Sequence, residues 1–249
     1  MKPPLESVTV EAPVALKELA ALTTARIALG RSGVSLPTRE VLGFGLAHAR
    51  ARDAVHATLD VAALRAGLEA EGRDVLTVHS CAADRAAYLA RPDWGRRLDP
   101  SSQAHLASLS TQSRVDLVFV LSDGLSATAL QAHALPLLRD LWPRLAHLRI
   151  APCVIATQAR VALSDEVGER LRASVAVSLI GERPGLSSPD SLGIYLTAQP
   201  RVGRTDAERH CISNIHAAGL RYEDAAVSLC ALIDSALSSG LSGLAIRSL

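Results

Sequence analysis

The chain has 249 residues and 49% hydrophobic content, enough to bury one substantial core, while 3% aromatic content leaves that core to Ala, Leu, Val and Ile and argues against a β-sandwich. Lys and Arg (26) nearly balance Asp and Glu (25), for a net charge of +1, so no general field exists to capture nucleic acid or anionic lipid.

The opening stretch "MKPPLESVTVEAP" places Pro3, Pro4, Glu6 and Glu11 where a signal peptide would need an apolar centre. No apolar run approaches the roughly 20 residues of a membrane span. The expectation is a cytoplasmic chain. Up to about Glu71, helical patterns alternate with breaks. "EVLGFGLAHARARDAVHATL" follows Pro37 and Thr38, a helix start signal. We read residues 1–71 as a helical N-terminal segment and residues 72–249 as an α/β domain.

From Asp74 the period changes. "DVLTVHS", "VDLVFVLSD", "LRIAPCVIA" and "ASVAVSLIGE" are short apolar, β-branched runs separated by helical stretches such as "ATALQAHALPLLRDLWPRL". Strands alternating with helices predict an α/β fold with a mostly parallel, Rossmann-like sheet flanked by helices. "SLGIYLTAQ" reads as one further strand and "EDAAVSLCALIDSALSS" as a last helix closed by Gly240. Ligands collect at the carboxyl ends of strands in such sheets, so the turns after Leu121, Ile155 and Ile180 are where function belongs.

Several candidate chemistries fail on spacing. Gly124-Leu125-Ser126-Ala127-Thr128 stands where a nucleophile elbow would, but Thr128 replaces its second glycine and no histidine is nominated as base. The plainer reading is a tight strand-to-helix turn capped by Asp123 or Ser122. Gly43-Phe44-Gly45 follows a helix start rather than a strand, and no P-loop occurs. The eight histidines never form a paired ligand motif, and Cys81, Cys153, Cys211 and Cys230 show no C-x-x-C, so a metal held by this chain alone is not expected.

Two segments stay open. "RPDWGRR" (Arg91 to Arg97) is either a surface loop or a partner contact anchored by Trp94 and its arginines. In "LIGERPGL", Glu182 stands at the sheet's carboxyl edge before a rigid Pro-Gly turn. It either pairs with Arg183 in solvent or accepts from donors on a large ligand.

Taken together and in order, "YLARPDWGRRL", "VFVLSDGLSA", "VALSDEVGE", "LIGERPGL" and "CISNIH" resemble the small (light) subunit of ethanolamine ammonia-lyase, from about Arg26 to the end of the chain. That resemblance implies an adenosylcobalamin-dependent radical lyase converting ethanolamine to acetaldehyde and ammonia. It implies a large TIM-barrel partner subunit in a hetero-oligomer, with the cofactor held between the two. Substrate residues then belong to the partner, and no catalytic residue is assigned here. The cobalamin contacts implied are Val161, Glu182 and Cys211: apolar surface for the corrin rim, an acceptor for peripheral amides, and a small side chain against the macrocycle. The "SDGLS" turn would shape the edge over which the cofactor or its nucleotide arm lies, with no individual contact assigned to Asp123 or Ser126. No D-x-H-x-x-G occurs, as suits a cofactor that keeps its own lower base. The N-terminus is shorter than the extension that some relatives carry for packaging in a bacterial microcompartment, so the cytoplasm is expected ahead of such packaging, which stays open. The competing reading is a non-catalytic α/β module, a scaffold or small-molecule binder sharing the fold.

Overall fold

The structure is a computed structural model that describes residues 9–10, 14–23, 25–109 and 113–244. Most of the opening stretch used above against a signal peptide lies outside the described residues. A short antiparallel pair, β1 (Thr9–Val10) and β2 (Arg31–Ser32), brackets helix α1 (Val14–Ala20). Helix α2 (Thr38–His56) starts directly after Pro37, and α3 (Val61–Ala70) is capped by Asp60, whose side chain accepts from the Ala63 N–H at 2.9 Å. Leu59, Leu64 and Leu68 sit in the same buried cluster as one face of the sheet, so α3 is part of the main core.

Six strands follow: β3 (Val75–His79), β4 (Val115–Ser122), β5 (Cys153–Thr157), β6 (Ala173–Gly181), β7 (Leu192–Ala198) and β8 (Arg209–Ile215). Their order is β3-β5-β4-β6-β7-β8. The first four in that order run parallel, while β7 and β8 are added antiparallel. Between them lie α4 (Arg85–Ala90), α5 (Pro100–Leu109), α6 (Ala127–Leu141) and α7 (Leu163–Arg170), with α8 (Tyr222–Ser239) last. The fold is the mostly parallel α/β sheet that the apolar runs predict.

Strand β4 shows why its sequence is continuously apolar. Leu117, Phe119 and Leu121 face a cluster with α3, α6 and α8, and Val118 and Val120 face a second cluster with Leu106, Leu163 and Val167 of α5 and α7. A strand covered on both faces has no polar side to alternate with. Phe119 meets Trp142 edge to face at 5.3 Å between ring centroids. Gly240 ends α8 at φ 70°, a left-handed cap that glycine adopts without strain.

Strand β8 is an element that the apolar pattern missed, as is the pair β1 and β2 inside the segment read as helical. "RHCISNI" carries few apolar side chains, and Cys211, Ser213 and Asn214 are exposed, because β8 is the edge of the sheet. Leu192, Ile194 and Leu196 of β7 point into the core beneath α8. Strand alternation therefore puts Tyr195 on the opposite face, beside Cys211, its register partner.

Candidate functional site

Strands β4, β5 and β6 end side by side at Ser122, Thr157 and Gly181. The turn after β4 is built by tertiary bonds more than by its own cap. Asp123 reaches across to the turn after β5, where its two carboxylate oxygens accept from the Gln158 N–H at 2.8 Å and the Ala159 N–H at 2.9 Å. Arg85 stands 3.8 Å from the same carboxylate and donates to the Gly124 carbonyl at 2.8 Å. Burial pushes the Asp123 carboxyl above its ordinary value, opposed by those amides and by Arg85. Gly124 has φ +56°, and a Cβ there would collide with the Gly181 carbonyl and come 2.5 Å from Ile180 Cγ1.

The expectation that Asp123 or Ser122 caps the following helix is corrected: the cap of α6 is Ser126, whose Oγ accepts from the Ala129 N–H at 3.2 Å. Asp123 is drawn away because two amides of the neighbouring turn hold it. Ser126 is fully buried and its hydroxyl donates to the Pro189 carbonyl at 2.9 Å, with Thr128 Oγ1 also at 2.9 Å. That hydroxyl serves as a structural clasp between the two loops.

Above these turns lies an open cleft of about 430 Å³. Val161 and Glu182 both line it, with Tyr88, Gly124, Arg160 and Tyr195. Cys211 is not in the lining itself but pairs with Tyr195 across β7 and β8. Val161 lies in the turn before α7 and Glu182 just past β6, while Cys211 sits on the outermost strand, level with Ser178 inside β6. Two of them share the cleft wall and the third flanks it. Away from the cleft, toward the start of β6, Arg209 of β8 donates to Asp165 of α7 at 2.6 Å in a buried ion pair and to Thr197 Oγ1 of β7 at 2.9 Å.

Glu182 does not pair with Arg183 among the described residues. Its Oε2 accepts from the Ser191 hydroxyl at 2.6 Å and the Asn214 N–H at 3.3 Å, while Oε1 takes no hydrogen bond from a described residue. Gly193 lies so close that a Cβ there would meet Oε1 at 2.9 Å, so the absence of a side chain gives the carboxylate its seat. Although Cys211 is exposed as a residue, partial burial of its sulfur pushes the thiol up, as does the nearby Glu182, against a hydrogen bond with Tyr195. Burial likewise raises Tyr195, and Tyr88 is pushed up to about 12. The thiol and phenols thus offer neutral surface rather than reactive anions.

The "RPDWGRR" loop has a definite role at this cleft. Gly95 is buried, and its carbonyl accepts from the Arg160 N–H at 2.7 Å. Trp94 is exposed beneath the Arg91 guanidinium, 4.5 Å from the ring centroid, so the loop supports Arg160 through Gly95 and presents Trp94 to the outside. Tyr88, Arg160 and Tyr195 are the lining residues that spacing alone did not single out. Only Tyr195 left a signal, as a polar-tipped aromatic alternating with Leu and Ile in "SLGIYLTAQ".

The arrangement can bind. It offers bare backbone at Gly124 and Gly181, apolar surface at Val161 and Ile180, one carboxylate oxygen to spare and two arginines. No group of three or more His, Cys, Asp or Glu among the described residues could hold a metal ion, and no helix among them is long and apolar enough to cross a membrane.

The family model described as "Ethanolamine ammonia-lyase light chain (EutC)" matches residues 14–247. The chain is 54% identical over 230 residues to the ethanolamine ammonia-lyase small subunit of Pseudomonas aeruginosa, covering 91% of this chain and 84% of that protein. It is 53% identical over 232 residues to that of Ralstonia nicotianae (91% and 85%) and 51% over 233 residues to that of Bradyrhizobium diazoefficiens (92% and 89%). On a match of this length and identity, the chain belongs to the family of ethanolamine ammonia-lyase small subunits, a bacterial lyase component.

Proposed function

We propose that this chain forms one wall of an adenosylcobalamin site and is active only when a large TIM-barrel subunit supplies the other wall and the substrate residues. The observation that carries the reading is the cleft at the sheet's carboxyl edge, open on one side, with Val161 and Glu182 in its wall and Cys211 at its flank. When bound, adenosylcobalamin supplies the radical chemistry that converts ethanolamine to acetaldehyde and ammonia.

The residues fit that group. A corrin presents a broad apolar rim and a ring of neutral amides. Val161 gives the rim apolar surface, and Glu182 Oε1, which takes no hydrogen bond from a described residue, accepts from an amide N–H. Cys211 and Tyr195, both held neutral, close the outer flank without adding charge. Glu182 is oriented before the ligand arrives because Ser191 and Asn214 occupy its other oxygen, which lowers the ordering cost of binding. The family name is that of a small subunit, which fits a larger partner, and we place the complex in the cytoplasm.

The test is to co-express the chain with a large subunit, add adenosylcobalamin, and follow acetaldehyde formation from ethanolamine together with the visible spectrum of the cofactor. Turnover that needs both chains is the expected result. A stable complex with neither bound cobalamin nor turnover would contradict it and leave a binding module that shares the fold.

A further inference from the structure

Arg160 brings a cation to the cleft with no anion to meet it. Of the arginines around it, Arg85 pairs with Asp123, while Arg183, which also lines the cleft, has no carboxylate within ion-pair distance among the described residues. Among the described residues Arg160 has no carboxylate within ion-pair distance, and its Nε is buried without a hydrogen-bond partner.

The side chain is nevertheless held firmly. Its guanidinium carbon lies 4.4 Å from the Tyr88 ring centroid, and Arg85 stacks on the same ring at 4.7 Å. The Tyr88 ring is fully buried and its hydroxyl donates to the Ala159 carbonyl at 3.3 Å. On the other side Gly95 packs so tightly that a Cβ there would meet Arg160 Cγ at 2.9 Å. A stacked, preorganised guanidinium is the side chain best shaped to hold a phosphate oxygen pair. The charges in the cleft wall, Arg160 and Arg183 against Glu182, leave one net positive charge, which favours an anionic group over a cationic one.

We propose that Arg160 is the anion receptor of this cleft and binds a singly charged phosphodiester. Resting on the cofactor reading above, that group is the phosphodiester of cobalamin's nucleotide arm. The same chemistry would accept free inorganic phosphate, so the experiment must separate the two sources.

The complex with the large subunit is titrated, by visible absorption, with cyanocobalamin and with cobinamide, the same corrin without phosphodiester and nucleotide. Arg160→Gln should weaken cyanocobalamin about 10- to 100-fold and leave cobinamide within about threefold, with Arg160→Lys between wild type and Arg160→Gln. In wild type, inorganic phosphate at constant ionic strength should compete with cyanocobalamin and not with cobinamide. Equal weakening of both corrinoids, as a distorted cleft would give, overturns the proposal, and so does unchanged cyanocobalamin affinity. Phosphate binding that depends on Arg160 while cyanocobalamin is indifferent to it assigns the site to free phosphate and also overturns it. Failure of the wild-type complex to bind either corrinoid is a different result, and defeats the cofactor reading itself.

Discussion

The Ser191 hydroxyl donates to Glu182 Oε2 at 2.6 Å, closing the base of the loop that joins β6 to β7. The bond ties the first residue after one strand to the last residue before the next. The carboxylate that faces the cleft is therefore set by the loop's far end. Ser191→Ala removes a hydrogen bond to a charged, half-buried acceptor, and the expected loss is about 2 kcal/mol of folding stability. Urea unfolding of the purified chain measures it, and a change below about 0.5 kcal/mol would show that the bond does not hold the loop.

Gly181 faces the turn after β4 at a distance that admits no side chain. A Cβ on Gly181 would run into the Ser126 carbonyl and lie 2.7 Å from the Asp123 carbonyl, both of them backbone atoms that cannot swing aside. Gly181→Ala is predicted to cost about 3 kcal/mol in stability, since the strand end or the helix start has to shift. Thermal unfolding beside wild type decides this, and an unchanged midpoint would mean that the two turns are looser than the packing indicates.

Ser126 separates a structural role from a catalytic one. Ser126→Ala loses the cap of α6 and the donor to Pro189, for an expected destabilisation of about 1 to 2 kcal/mol. Turnover per assembled complex should stay within about twofold of wild type. Complete loss of activity in a variant that still folds and assembles would restore Ser126 as a reacting group.

Glu208 governs part of the acid sensitivity. The Thr205 N–H, Arg204 and the Thr205 hydroxyl hold its carboxyl down to about 2, below its ordinary 4.5. A carboxyl whose folded value is depressed takes up its proton more readily in the unfolded chain. Its contribution is therefore complete above about 4.5 and is lost as pH falls toward about 2. Urea midpoints measured from pH 6 to pH 2.5 should fall more steeply in wild type than in Glu208→Gln. Parallel curves would remove Glu208 from the account.

The sequence showed most clearly what a single element decides for itself. Strand β4 is legible because both of its faces are buried, which leaves "VDLVFVLS" with no polar side. The end of α8 is legible because only a residue such as Gly240 turns left-handed there without strain. What depends on residues far apart in the chain was hidden. Asp123 looks like a helix cap from its neighbours, yet it bonds to amides 35 and 36 residues away. Tyr88 and Arg160 meet only because the "RPDWGRR" loop folds back over them. Strand β8 lacks apolar alternation because it is an edge. Val161, Glu182 and Cys211 came from the resemblance of whole segments, and no local pattern would have joined them.

The central claim is that Glu182 faces a bound cobalamin from this subunit, and equilibrium titration of the assembled complex with cyanocobalamin tests it most directly. Glu182→Ala should weaken binding by about 10-fold or more while leaving assembly with the large subunit and the far-ultraviolet spectrum unchanged. Affinity equal to wild type in a complex that assembles normally would contradict the account and move the cofactor off this wall.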